Sequence, residues 1–247
     1  MNENFDEFDK YAMKYDMNEK MIAYKYNHSY RVVHQSEEIC RSLDLDNVER
    51  DLASLIALLH DIARFRQWTD YKTFRDKDSF DHGLEGTKIL FEEGEINNYN
   101  CNKEDYDVIK KAIMNHNKYT IESGLNDREL LHSKIIRDAD KIDILYAFST
   151  WRLLEIDNDD STINDEVRKQ FFEHKAIDRK YIKSVNDRAV AKISLIFDLY
   201  YDYSLKRVYE EKYIDRLYEG MKNKEIFKDF YDEAIKYLKK RCNDVRK

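Results

Sequence analysis

The sequence predicts an all-helical fold. The 247-residue chain contains no proline and five glycines, whereas sheet-rich folds need many tight turns that usually use these two residues. Charged residues make up 38% of the chain and apolar residues 42%, a balance typical of helices that bury one face and expose the other. We therefore expect long helices joined by few sharp connections, in a chain long enough to bury a substantial core.

Helical periodicity divides the chain into amphipathic segments. Helices are predicted at residues 5–23, 27–43, 48–62, 83–93, 104–117, 127–149, 165–174, 180–201, 204–219 and 223–242. Residues 48–62 (VERDLASLIALLHDI) are strongly apolar on one side, which predicts a buried helix. Gly94 is expected to end the helix at 83–93. Residues 65–81 lack helical periodicity and are predicted to form a long ordered loop, a kind of segment that is often functional.

A polar, acidic segment at residues 156–165 (IDNDDSTIND) is the best candidate for a boundary within the chain. It predicts a catalytic domain at residues 1–155 and a helical extension at 156–247 that packs on it, the alternative being one continuous globular unit. The second part is rich in Tyr and Lys and carries no obvious chemistry. We expect it to support the packing of the first part, with a lid or a dimerisation surface as alternatives.

The charge, the cysteines and the apolar runs of the sequence bear on its binding partners and its cellular compartment. A formal net charge of -7 disfavours non-specific nucleic-acid binding, which needs a surplus of Lys and Arg, but a local basic pocket or a metal ion could still bind a small phosphorylated substrate. The three cysteines form no CxxC pair, as expected of reduced thiols in the cytoplasm. No apolar run resembles a signal peptide or the ~20-residue length of a membrane span. We therefore expect a cytoplasmic protein without membrane contact.

Four polar side chains fall on the apolar stripes of four predicted helices: His28, His60, His116 and Asp140. A buried imidazole or carboxylate is costly unless it is paired or bound to a metal. One such histidine is more often a hydrogen-bonded core residue, but four inward groups, with Asp61 beside His60, favour a shared site. Neutral imidazoles and carboxylates suit divalent transition metals such as Fe, Mn, Co, Ni or Zn.

The order His28, His60-Asp61 and Asp140 resembles that of the HD-domain superfamily of metal-dependent phosphohydrolases, in its bacterial form. The segments HSYRVVHQSEEI, LIALLHDIARF and RDADKIDIL carry the resemblance, as does the stretch FRQWTDYKTFRDKDSFDHGLEGTKIL. The resemblance covers roughly residues 22–150 and does not extend to the rest of the chain. It implies that the covered part folds as an HD-type helical bundle.

The resemblance also implies a metal-ligand set. In such families the residues that match His28, His60, Asp61 and Asp140 bind one metal, and members with two metals add two further histidines between the His-Asp pair and the last Asp. His82 and His116 occupy those places. The resemblance thus implies a dinuclear site in which Asp61 bridges both ions, and the alternative is a single tightly bound metal.

Several basic and polar side chains are candidates for catalysis or substrate binding beside Asp61. Arg64 lies three residues after Asp61, where dinuclear relatives often place a Lys, and Lys141 follows Asp140. Both are predicted to contact phosphate in the reaction, and each could instead be a surface or salt-bridge residue. Further candidates for substrate binding are Arg31, Arg66 and Gln67.

The long loop and its surroundings supply weaker candidates. Arg75 is a possible specificity residue, and Asp78, Asp81 and Glu85 are possible proton-transfer groups. The sequence does not choose among the three carboxylates.

The remaining histidines are predicted to lie outside the metal site. His132 precedes Asp140 by eight residues, or about 12 Å along a helix axis, too far to bind the same ion, so it is expected to pack or to contact substrate. His34 should point elsewhere on its helix, and His174 should face solvent.

These observations predict a phosphohydrolase that acts on a nucleotide or another small phosphate ester through a metal-activated water. One alternative is a di-iron oxygenase, because some members of the same superfamily use this ligand order to activate dioxygen. Another is a non-catalytic nucleotide-binding module, against which the complete ligand set argues. The sequence leaves open the substrate, the metal and whether the chain forms a homodimer.

Overall fold

The protein is all-helical, as predicted. The computed structural model describes residues 2–151 and 162–244, and over these ranges it contains helices and turns but no strand. The α-helices are α1 (Asn2–Ala12), α2 (Lys20–Ser42), α3 (Asn47–Leu59), α4 (Ala63–Tyr71), α5 (His82–Phe91), α6 (Tyr106–His116), α7 (Asp127–Trp151), α8 (Asp165–Phe172), α9 (Val185–Ile193), α10 (Asp202–Glu210), α11 (Tyr213–Glu219) and α12 (Lys224–Asp244). Within the described ranges, none of these helices has the length and apolarity needed to cross a membrane.

The chain divides into two compact units, Met1–Asp140 and Lys141–Lys247. The division falls inside α7. The boundary predicted at residues 156–165 lies partly outside the described residues, which exclude 152–161. The division into residues 1–155 and 156–247 therefore stays a prediction.

The predicted buried helix is the centre of the first unit. Every residue of α3 from Leu52 to Leu59 is buried, so its second half is enclosed on all sides. Its start is fixed by Asp46, whose side chain accepts a hydrogen bond from the Glu49 backbone N–H. It packs against α1, α2 and α6. The helix ends at Leu59, which leaves His60 and Asp61 in the turn before α4.

The prediction of a loop over residues 65–81 is wrong for its first part, because α4 extends to Tyr71. The buried residues of α4 are Ala63, Phe65 and Gln67. Gln67 is buried through hydrogen bonds rather than apolar contacts, so apolar periodicity alone does not reveal this helix. The remaining segment is a loop that begins at Lys72, with φ of 50°, and contains a 3-10 turn at Asp76–Asp78.

The single helix predicted at residues 5–23 is also wrong, since α1 ends at Ala12 and α2 begins at Lys20. A turn intervenes in which the Asp16 carboxylate accepts a hydrogen bond from the Asn18 backbone N–H at 2.9 Å, a side-chain contact that competes with helix continuation. The prediction also starts the next helix at residue 27, whereas α2 already includes residues 20–26.

The second unit has its own aromatic core. The ring of Phe171 lies 5.0 Å from the rings of both Phe197 and Phe230, centroid to centroid, in edge-on contacts. Its helices before α12 are shorter than predicted. Helix α9 begins at a capping box formed by Ser184, and the helix predicted at 204–219 is interrupted at Lys212, which has φ of 54°.

A close approach between α5 and α6 depends on Gly83. A Cβ atom at this position would lie 2.8 Å from Oδ1 of Asn117 and 3.0 Å from the carbonyl oxygen of Ile113. A Cβ atom on Gly86, one turn later, would meet side-chain atoms at ordinary distances of 3.5 Å or more.

Replacing Gly83 by Ala is therefore expected to destabilise the protein by about 1–3 kcal/mol, because the added methyl group overpacks the helix interface. The control Gly86→Ala should stay within about 1 kcal/mol of the parent, since Ala also favours the helix. Urea unfolding followed by circular dichroism measures both values. Equal free energies of unfolding for the two variants would contradict a close contact at Gly83.

Candidate metal centre

The first unit brings together the histidines and carboxylates predicted to bind metal. His28 lies on α2, and the pair His60-Asp61 follows α3. His82 is the first residue of α5, and His116 is the last residue of α6. All five side chains are buried, and α7 contributes Asp140 to the same cluster.

The carboxylate of Asp61 faces two pairs of imidazoles. Its Oδ2 atom lies 3.4 Å from Nε2 of His28 and 3.5 Å from Nε2 of His60. Its Oδ1 atom lies 3.5 Å from Nε2 of His82 and 3.6 Å from Nε2 of His116. Each pair forms, together with Asp61, a group whose donor atoms are close enough to hold a metal ion. Asp61 is common to both groups.

Asp140 belongs with the first pair. Its Oδ1 atom lies 3.2 Å from Nε2 of His28 and 3.8 Å from Nε2 of His60. The structure thus places one further carboxylate beside the His28–His60 group, as the ligand order predicted.

Backbone carbonyls orient two of the imidazoles. Nδ1 of His60 donates a hydrogen bond to the carbonyl oxygen of Ala57 at 2.7 Å, and Nδ1 of His116 donates to that of Ile113 at 2.6 Å. Because a carbonyl can only accept, the proton of each neutral ring lies on Nδ1. The unprotonated Nε2 atoms therefore face the cluster, which is the arrangement that metal-binding histidines adopt.

His82 is oriented by Asp76, a residue that the sequence did not single out. Nδ1 of His82 lies 2.8 Å from both carboxylate oxygens of Asp76. Burial and the neighbouring guanidinium of Arg64 lower the pKa of His82 to about 3, so the ring is neutral near pH 7. A neutral ring that donates from Nδ1 presents the lone pair of Nε2 to the cluster.

The donor set fits a divalent transition metal. Nε2 of His82 lies 3.0 Å from Nε2 of His116, and both atoms carry lone pairs when the Nδ1 atoms are protonated. Two facing lone pairs repel each other unless a cation lies between or beside them. Imidazole nitrogens combined with carboxylate oxygens are ligands that first-row transition metals prefer.

The carboxylate ligands are held in their ionised form. Burial would raise the pKa of Asp61, but the positive charges of Lys25 and Arg64 lower it well below its ordinary value. For Asp140, burial is likewise outweighed by the hydrogen bond from His28, and the pKa is lowered. Both residues are therefore available as anionic ligands.

Arg64 lies beside the cluster, and its predicted contact with phosphate stays a prediction. Its Nε atom donates to Oδ1 of Asp61 at 3.3 Å, and its NH2 group lies 3.1 Å from Nε2 of His82. The other terminal nitrogen donates to Gln67, to the carbonyl oxygen of Phe74 and to Asp76. Arg64 thus connects Asp61 to the loop that follows α4.

Lys25 is a second cation at Asp61, and sequence reasoning missed it. Its ammonium donates to Oδ2 of Asp61 at 2.5 Å, and the side chain is 11% exposed. Lys25 lies three residues before His28 on α2, so the two share a helix face. Because the helix was predicted to start at residue 27, Lys25 was not recognised as lying on the same helix face as His28.

The other predicted substrate-binding residues have defined partners. Arg66 forms salt bridges with Glu93 at 2.7 Å and with Glu85 at 3.1 Å. These two carboxylates neutralise its positive charge. Arg31 lies over the ring of Tyr24, 5.9 Å from the centroid. Their role in substrate binding stays a prediction.

Gln67, on α4, makes hydrogen bonds to the loop that follows this helix, and its predicted role in substrate binding stays a prediction. Its amide nitrogen donates to Asp76, to Ser79 and to the carbonyl oxygen of Phe80, while its oxygen accepts from Arg64. These bonds hold the loop that carries Asp76.

Lys141 begins the second unit, where its ammonium lies 3.1 Å from Oδ2 of Asp198. Its predicted contact with phosphate also stays a prediction.

The candidates for proton transfer occupy different settings. Asp78 pairs with Arg75 on the surface at 3.0 Å. Asp81 caps α5 by accepting a hydrogen bond from the Leu84 backbone N–H. Burial would raise the pKa of Asp81, but hydrogen bonds from neighbours, including Lys118, lower it to about 2. An acid of that strength holds no proton to donate near pH 7.

The histidines expected to lie outside the site do so. Nε2 of His132 lies 2.6 Å from Glu49, a carboxylate that also accepts from Arg128. His34 and His174 are exposed, and His174 pairs with Glu233 at 3.0 Å.

Comparison with known families agrees with this geometry. Residues 26–145 match the family model of the HD domain, which identifies an HD domain in this part of the chain. This all-α family commonly comprises metal-dependent phosphohydrolases. No curated protein and no solved structure gives a significant match to the chain.

Replacing Asp76 by Ala is expected to lower metal affinity at the His82–His116 group about 10- to 100-fold, because the His82 ring loses the acceptor that orients it. Equilibrium dialysis followed by elemental analysis measures this affinity. The control Asp78→Ala, two residues later and paired on the surface with Arg75, should leave it unchanged. If both variants bound metal equally well, Asp76 would not be the residue that positions His82.

Proposed function

We propose that the protein is a metal-dependent phosphohydrolase that acts on a nucleotide or another small phosphate ester through a metal-activated water. The observation that supports this most strongly is the position of Asp61, with one carboxylate oxygen facing His28 and His60 and the other facing His82 and His116. This arrangement suits two ions that share one carboxylate, which would make Asp61 the bridging ligand.

Two metal ions about 3.5–4 Å apart lower the pKa of a shared water toward neutrality and neutralise charge on phosphate oxygens. The side chains of this protein would hold the ions and orient the ligands. Asp61 and the four imidazoles fix the ions, while Asp76 and the backbone carbonyls fix the imidazoles. Arg64 holds the Asp61 carboxylate from the side opposite Lys25, since the two cations contact different oxygens.

Two divalent ions together with the basic side chains at the centre would outweigh its carboxylates, which suits an anionic substrate. Although the whole chain has a net charge of -7, the ammonium of Lys25 and the guanidinium of Arg64 both lie at Asp61. The rings of Tyr24 and Phe74 lie 5.8 Å and 5.4 Å from the Lys25 ammonium. Aromatic rings beside basic side chains are a combination that nucleotide-binding sites use, which is why we favour a nucleotide among phosphate esters.

The direct test is to purify the protein without chelator, determine its metals by elemental analysis, and assay nucleotides and generic phosphate esters. We expect about two transition-metal ions per chain and release of inorganic phosphate. Iron together with oxygen uptake and no phosphate release would contradict the proposal and indicate an oxygenase. Metal without turnover of either kind would indicate a binding module.

Replacing Asp61 by Ala should remove both ions and reduce phosphate release more than ~100-fold, beyond the effect typical of a residue that only orients a ligand. The matched control is Asp51→Ala, an exposed carboxylate on α3, which should retain metal and activity. Unchanged metal content in the Asp61 variant would show that the ions bind elsewhere.

A further inference from the structure

Lys25 differs from the other charged side chains at the centre in how few contacts it makes. Its ammonium carries three N–H donors. The described residues offer it one hydrogen-bond acceptor, Oδ2 of Asp61. Its other neighbours are the ring faces of Tyr24 and Phe74, which attract a cation but do not fix its direction. Donors therefore remain on this buried ammonium for an oxygen that comes from a ligand.

Arg64, in contrast, contacts the protein through each of its three guanidinium nitrogens. Its guanidinium has contacts with Asp61, Gln67, Asp76, His82 and the carbonyl oxygen of Phe74. These contacts take four of the five N–H donors of the guanidinium, since three of them share the two N–H groups of one terminal nitrogen. Arg64 could turn toward a phosphate only by disturbing contacts that hold the loop and His82 in place. Its position suits an orienting role better than direct contact with a substrate.

The hydrogen bond between Lys25 and Asp61 also competes with metal binding. Oδ2 of Asp61 faces Lys25 together with His28 and His60, so the ammonium and a metal ion at that group would share one oxygen. A carboxylate oxygen bonded to a dication is a weaker acceptor for a second cation, and like charges repel. The long, flexible stem of a lysine allows the ammonium to turn toward another anion nearby.

From these contacts we propose that Lys25 is a substrate-binding residue, whose ammonium hydrogen-bonds a non-bridging oxygen of the substrate phosphate, while Arg64 is a positioning residue. This rests on the proposed function in so far as the ligand is a phosphate. The ammonium that contacts Asp61 would turn to the phosphate when metal and substrate are bound.

The test uses binding of inorganic phosphate to the full chain loaded with its own metal, measured by isothermal titration calorimetry. Lys25→Met is expected to keep its metal and to bind phosphate about 10- to 100-fold more weakly, the loss typical of a hydrogen bond between charged groups. Lys25→Arg, which keeps the charge, should recover most of this affinity. The control Lys20→Met changes an exposed lysine at the start of the same helix and should bind phosphate as the parent does.

Circular dichroism and elemental analysis of each variant separate the proposed role from a structural one. Loss of metal from the Lys25→Met protein would overturn the proposal, because Lys25 would then act by positioning Asp61. Phosphate affinity within twofold of the parent, with metal retained, would overturn it as well. If phosphate binding depended on Lys25 but no phosphate ester were hydrolysed, the inference would stand and the proposed hydrolase activity would fail.

Discussion

The structure of the first unit depends on one carboxylate placed between two pairs of imidazoles. A buried aspartate with no compensating charge would be costly, and Asp61 is compensated from both sides. Lys25 contacts one of its oxygens and Arg64 the other, and a pair of histidines faces each. The same charge that makes Asp61 expensive to bury makes it a strong ligand for two cations. The negative charge of Asp61 therefore affects both the stability of the fold and the affinity for metal.

The secondary structure explains how so many polar groups reach one point. His60 and Asp61 lie in the turn after the central helix α3, while His82 begins α5 and His116 ends α6. Residues at helix ends can turn toward a common centre without breaking a helix interior. The close approach of α5 and α6 at Gly83 brings two of these ends together. The carbonyl oxygens at Ala57 and Ile113 then point the imidazoles inward.

Sequence reasoning predicted the parts of this site that follow helical periodicity. His28, His60, His116 and Asp140 lie on the apolar stripes of their helices, which is a local signal. His82 carries no such signal, because it starts a helix after a polar loop, and it was predicted from the resemblance to HD domains. The all-helical fold was predictable from proline and glycine scarcity, which is a property of the whole chain.

The parts that were missed depend on contacts between distant segments. Lys25 was assigned to a connection because residues 5–23 look like one helix, although the Asp16 turn separates α1 from α2. Asp76 lies in a loop without periodicity, and only its contact with His82 gives it a role. Helix α4 was read in part as loop because Gln67 fills an inward position that an apolar residue usually occupies. Hydrogen bonds of this kind leave no repeating pattern in a sequence.

The central claim is that Asp61 is shared by two metal ions. Anomalous diffraction from crystals of the metal-loaded protein, recorded above and below the absorption edge of the bound metal, tests it most directly. The account predicts two anomalous peaks, one next to each carboxylate oxygen of Asp61, the first near His28 and His60 and the second near His82 and His116. A single peak, or peaks that lack Asp61 among their neighbours, would contradict it.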